Sequence, residues 1–141
     1  MFIRIEPSSS VPIYRQIIDQ IRYQIAAGIL KEGEKVPSVR ELALQLAVNQ
    51  NTILKVYNEL CRENILKIER GDGTYVSSNR QDIPQDQRRQ MVAGPLREAA
   101  VLAIQLDVPI EQVMQLLSGE HEKILSQRNA AAGGQKEQTD V

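Results

Sequence analysis

The chain is 141 residues long, 42% apolar and 25% charged, with a formal net charge of −1 at pH 7. That length holds one domain and a small annex, and no apolar run approaches the roughly 18 residues of a membrane span. The balance excludes binding to nucleic acid by bulk charge alone: residues 1–80 carry eleven basic against nine acidic side chains and residues 81–141 six against nine, which allows a basic N-terminal face without demanding one. Cys61 is the only cysteine, so an internal disulfide is ruled out. The opening MFIRIEPSSS lacks the pattern of a secretion signal, and a cytoplasmic address without a membrane partner is expected.

The spacing predicts a first helix over residues 11–28, capped by Ser10 or Val11, with Pro12 in its first turn. Ile17, Ile18, Ile21 and Ile25 form its apolar face, and Gly28 ends it. Residues 29–36, with Gly33, read as a turn and a short extended piece. A capping box, Ser38 with Glu41, opens a second helix whose inward face is Val39, Leu42, Ala43 and Leu46. After the turn Ala47–Val48–Asn49, with Asn49 as N-cap, a third helix runs from Gln50 to about Asn64. Ile53, Val56, Tyr57 and Leu60 face inward. Gln50, Asn51, Leu54, Lys55, Asn58 and Arg62 face outward, a surface rich in the hydrogen-bonding groups that read base edges. Residues 66–68 and 74–76 alternate apolar and polar positions around Arg70–Gly71–Asp72–Gly73, the signature of a tight hairpin. Two helices about a short turn, followed by a hairpin, make a winged helix-turn-helix.

Residues 77–83 read as loop. A helical pattern runs from Pro84 to about Leu106, interrupted at Gly94–Pro95, where the helix either kinks or begins. Another helix starts at Pro109. Residues 129–141 are small and polar and read as a disordered tail. The expected organisation is therefore a mainly α chain with a small β-wing: a winged helix-turn-helix over residues 1–76, a two-helix region over 77–128, and the tail.

The motifs PIYxQI, PSVRELA, the Asn-Thr pair of the third helix, VYxEL and GxGTYV, in that order over residues 11–76, resemble the GntR family of bacterial transcription regulators. The short annex resembles the YtrA-like subfamily, in which a small helical tail serves dimerisation. A fused aminotransferase-like domain does not fit the length, and a three-histidine metal site does not fit a chain whose only histidine is His121. The resemblance implies DNA contacts from Ser38 and Arg40 on the second helix and from Gln50, Asn51, Thr52, Lys55 and Asn58 on the third. In the wing it implies contacts from Arg70, Gly73 and Thr74, with the bare backbone of Gly73 approaching the minor groove. One departure stands out. Asn49-Gln50-Asn51-Thr52 replaces the family's common S-R-N-T, so the adenine-suited amide of Gln50 stands where an arginine would suit guanine.

The apolar set of the annex, Leu96, Ala99, Leu102, Ala103, Leu106, Val113, Met114 and Leu117, exceeds what two isolated helices can hide. It either packs back on the winged helix or pairs with a second copy, and the twofold dimer is the favoured reading. The resulting expectation is a homodimeric repressor on a palindromic operator, which the resemblance associates with transporter operons. The alternative is a winged helix that binds protein. Tyr57 and Cys61 read as core and His121 as a solvated face residue. No nucleophile–base set appears, so no enzyme, cofactor or metal is expected. About fifty annex residues leave little room for a ligand pocket, and a small-molecule effector stays unassigned.

Overall fold

The computed structural model describes residues 1–78 and 82–139, with side chains through residue 134. The first helix, α1, spans Ile13–Ala26. Pro12 is its N-cap residue and no side chain caps it, in place of the Ser10 or Val11 cap. The fixed φ of proline already suits the step into a helix, and the Gln16 side-chain amide crosses the gap by donating to the Val11 carbonyl at 2.8 Å. The helix closes at Ala27, and Gly28 follows with φ +74°.

Strand β1 is only Lys35–Val36. Helix α2 spans Val39–Leu46. It is N-capped by Ser38, whose Oγ accepts from the Glu41 backbone N–H at 3.1 Å, and it ends on Ala47 in the left-handed conformation. Helix α3 spans Gln50–Arg62 under an Asn49 cap that accepts from the Asn51 N–H at 2.8 Å. It stops short of Asn64, which has φ +56°. The wing strands are β2, Leu66–Glu69, and β3, Gly73–Val76. The hairpin expected from sequence is here a three-stranded antiparallel sheet in the order β1-β3-β2, because Lys35 and Val36 pair with Tyr75 and Thr74 on the free edge of β3.

Ile17, Ile21, Leu30, Leu42, Ile53, Val56, Tyr57, Leu60 and Val76 are sealed in one core between α1, α2, α3 and the sheet. Each such side chain is worth roughly 1.5–3 kcal/mol of burial, which makes this core the rigid mount for everything exposed around it. Val39 and Leu46 pack on its rim.

Helix α4 spans Gln85–Gln105 with Pro95 inside it, and α5 spans Ile110–Thr139. The pattern break at Gly94–Pro95 is thus neither a start nor an end. Proline removes one backbone bond, and the turns on either side hold the helix together. The tail expected from residue 129 is, as far as Thr139, the last part of α5. Ala130, Ala131 and Ala132 are strong helix formers, and Ala131 lies against Gly28. Residues 140 and 141, like 79–81 of the expected loop, lie outside the described residues.

No residue of α4 is buried. The α4–α5 pair meets the winged helix through α1: Arg15 Nη2 lies 3.7 Å from Glu98 Oε2, and the Tyr23 hydroxyl donates to Gln127 Oε1.

Candidate nucleic-acid interface

Two N-caps and one left-handed residue set the geometry of the helix-turn-helix. Ala47 reverses the chain, and Asn49 restarts it as α3 two residues later. The cap fixes where the first turn of α3 begins, and that turn carries Gln50, Asn51 and Thr52. Gln50 and Asn51 are exposed and Thr52 is half-buried. The Asn51 and Thr52 N–H groups are satisfied by Asn49, so what this turn offers a ligand is its side chains and the positive end of the helix dipole, which favours anions.

Tyr57 holds the two helices in register. Its ring is 1% exposed, and its hydroxyl donates to the Pro37 carbonyl at 2.7 Å, at the chain's approach to α2. Burial, then the charge of Glu41 and the neighbouring Cys61, pushes its ionisation well above the ordinary tyrosine range. Cys61 is partly buried and its thiol is also pushed up by burial, which makes it a weak nucleophile. Both residues belong to the packing, as their helical spacing indicated, and His121 is exposed on α5.

Arg40 is exposed on α2 and has no carboxylate within 4.0 Å among the described residues. It is therefore not consumed by a bridge across the helix pair. Asn58 and Arg62 are exposed further along α3. Lys55 is exposed too, and its ammonium sits 4.5 Å from the centre of the Tyr14 ring, an attraction that restrains the side chain towards α1. Leu54, 45% exposed, interrupts the polar face, and Leu44 on α2 is 73% exposed.

The wing departs from expectation at Thr74, which is 8% exposed. Strand residues alternate faces, and Thr74 shares the inner face with Val76 and with its partner Val36. Its side chain is not offered to a ligand, whereas Arg70 and Ser38 are exposed as expected. The outer face belongs to Gly73 and Tyr75. Lys35 and Lys67 flank Tyr75 from the two outer strands, forming a cation–aromatic–cation row across the sheet. Asp72 at the tip interacts with the Tyr75 hydroxyl and raises its ionisation. Sequence reading missed this row. Period-2 alternation from buried Val76 places Tyr75 outward, but nothing local reveals that Lys35, some forty residues upstream, is its neighbour.

A helix-turn-helix with a capped, amide-rich second helix and a three-stranded wing is the architecture of a DNA reader. The model of the gntR family of bacterial regulatory proteins matches residues 13–76. The HTH-type transcriptional repressor YtrA of Bacillus subtilis (strain 168) is 41% identical over 111 residues, which cover 79% of this chain and 85% of that protein. The chain belongs to the GntR family. The alignment with the repressor is longer than the winged helix, so the likeness extends into the annex. Two solved structures carry it further. A transcriptional antiterminator from Listeria monocytogenes EGD-e superposes with a TM-score of 0.75 at 31% identity, covering 88% of this chain and 92% of that one. YtrA from Sulfolobus acidocaldarius, a GntR-family transcription factor, superposes with a TM-score of 0.57 at 35% identity, covering 83% and 97%. This GntR chain is accordingly a DNA-binding transcription regulator of the YtrA-like type. Among its described residues no helix is long and apolar enough to cross a membrane.

Proposed function

We propose that this GntR regulator is a cytoplasmic homodimeric repressor that places the first turn of each α3 in successive major grooves of a palindromic operator. The exposed, N-capped start of α3, flanked by the exposed guanidinium of Arg40, carries the reading. Ser38, Arg40, Gln50, Asn51, Thr52, Lys55 and Asn58 form the groove-facing set, and Arg70 and Gly73 lie at the wing tip. A guanidinium suits phosphate or guanine and the Gln50 amide suits adenine, so these groups divide between positioning and base reading.

Pairing rests on the bare apolar surface of α4 and α5. Leu96, Leu102, Leu106, Met114 and Leu117 are between 43% and 63% exposed in the single chain, Ala99 is exposed, and Ala103 and Val113 are half-buried. Val101, Ile104 and Leu116 add further exposed apolar surface. An apolar surface of this extent normally marks an interface. A second copy related by a twofold axis covers it with the same residues and sets two half-sites about 34–36 Å apart, one turn of the duplex. The name of the Bacillus relative supports repression as the sign of control. Occupying a promoter is enough to repress, and the operon of a transporter is the target that the YtrA-like resemblance favours. A small-molecule effector has no assigned place in this scheme.

Two measurements test the reading. Sedimentation should give a dimer at micromolar concentration. Binding to duplexes from the DNA upstream of the coding gene should weaken with salt, with a log–log slope reporting several phosphate contacts. A monomer, or a flat salt response, overturns it. The flat response would favour the winged helix as a protein-binding module, for which Leu44 and Leu54 are the exposed apolar positions.

A further inference from the structure

Gly73 carries φ +155°, a region that favours glycine. Its missing side chain also has a spatial use. A Cβ at this position would lie 2.7 Å from Lys35 Cε and 3.4 Å from Lys35 Nζ. The lysine starts on β1 opposite Tyr75 and runs diagonally across the outer face of β3, over the bare glycine, to the tip of the wing.

The other groups on that face are engaged. Lys67 Nζ stands 3.8 Å from Glu69 Oε1 on its own strand, and the Tyr75 hydroxyl interacts with Asp72. Lys35 is exposed and has no carboxylate within 4.0 Å among the described residues. It brings to the wing tip a cation that the hairpin itself does not encode.

We propose that Lys35 grips a backbone phosphate of the operator from the wing, and that Gly73 is bare in order to let that side chain cross the strand. This rests on the DNA-binding reading and adds a contact to it. It changes the role of the glycine: the space above its Cα is filled by the protein's own cation and is not left empty for the groove. A lysine on a two-residue edge strand could instead serve only to deter edge-to-edge pairing, and that role would leave the salt dependence of DNA binding untouched.

The test uses the full chain and a duplex recovered by the wild-type protein from a randomised pool, with affinity followed by anisotropy across a salt series. Lys35→Met keeps the aliphatic chain over Gly73 and removes only the charge, so the fold is retained. It should reduce the magnitude of the log–log salt slope by about one unit per protomer and weaken binding to all sequences equally. Lys123→Met, on α5, removes the same charge elsewhere and should leave the slope at its wild-type value. Gly73→Ala displaces the lysine and should reproduce the Lys35→Met slope, with the double variant no lower than either single one. A Lys35→Met slope equal to wild type overturns the proposal while leaving the function standing. If the wild-type chain recovers no duplex at all, both fall.

Discussion

One hydroxyl ties together the two helices of the reading unit. The Tyr57 ring fills the core, and its O–H satisfies the Pro37 carbonyl. A buried neutral hydrogen bond is worth about 0.5–1.5 kcal/mol, so Tyr57→Phe should lower the unfolding free energy by about that much in a denaturant titration. The same group contributes to the loss of stability at alkaline pH. The unfolded tyrosine ionises near its ordinary value of 10.0, while the folded one is held protonated well above it. Above pH 10 the folded state therefore binds more protons than the unfolded state, and stability falls as pH rises. It is fully present below that pH. Thermal melts from pH 9 to 11 should show this decline, to which the raised ionisation of Cys61 and Tyr75 also contributes, and Tyr57→Phe should make it shallower. On the recognition side, Gln50→Arg should shift the preferred base at one position of each half-site from adenine to guanine, a discrimination of about 1–3 kcal/mol, read by binding-site selection.

Among the elements, the N-terminal segment shows how two periods can be matched. Gln16, Gln20 and Gln24 stand four residues apart on α1. Each bonds the backbone of one member of the series Glu6, Arg4 and Phe2, both accepting from its N–H and donating to its C=O. Four helical residues rise about 6 Å and two extended residues about 6.6 Å, so the two chains stay in step for three rungs. The arrangement satisfies a segment that has no strand partner among the described residues, and it directs Ile3 into the core. Gln20→Ala should raise hydrogen exchange at the Arg4 amide by an order of magnitude or more while leaving the melting temperature nearly unchanged, because the freed groups return to water. Helix α4 illustrates a different compromise: an interior proline costs a helix about 3 kcal/mol, yet α4 passes through Pro95 without ending. Pairing in the proposed dimer would supply the missing stability.

At the scale of the molecule, the winged helix holds its own core and the α4–α5 pair holds almost none. The first can fold as a unit; the second, read as half of a twofold bundle, needs its copy. Leu102→Glu should then yield monomers by sedimentation and weaken operator binding by far more than the loss of one contact, since each half-site alone makes too few contacts for strong specificity. The contacts from α5 to α1, through Gln127 and Tyr23 and at Gly28, fix the angle between the winged helix and the α4–α5 pair.

Local chemistry was enough to place most of these parts. Ser38 and Asn49 announce their helices because a cap is an interaction over two or three residues, and the stripe of Ile53, Val56, Tyr57 and Leu60 announces its buried face because helical period is local too. The motif order then identified the family. Three features were invisible because they join residues far apart in the chain: Lys35 pairing with Tyr75, Thr74 turning inward beside Val36, and the glutamine ladder gripping residues 2–6. The sequence left open whether α4 runs through Pro95 or begins there, and it hid the continuation of α5 past Asn129, since a breaker or a glycine pair weakens a helix by an amount that neighbouring turns and packing can overcome. The sequence by itself determined the helices, the exposed polar face of α3 and the kinship. Only the tertiary structure decided which side chains share the outer face of the wing, because strand pairing is a contact between segments and not a property of either one.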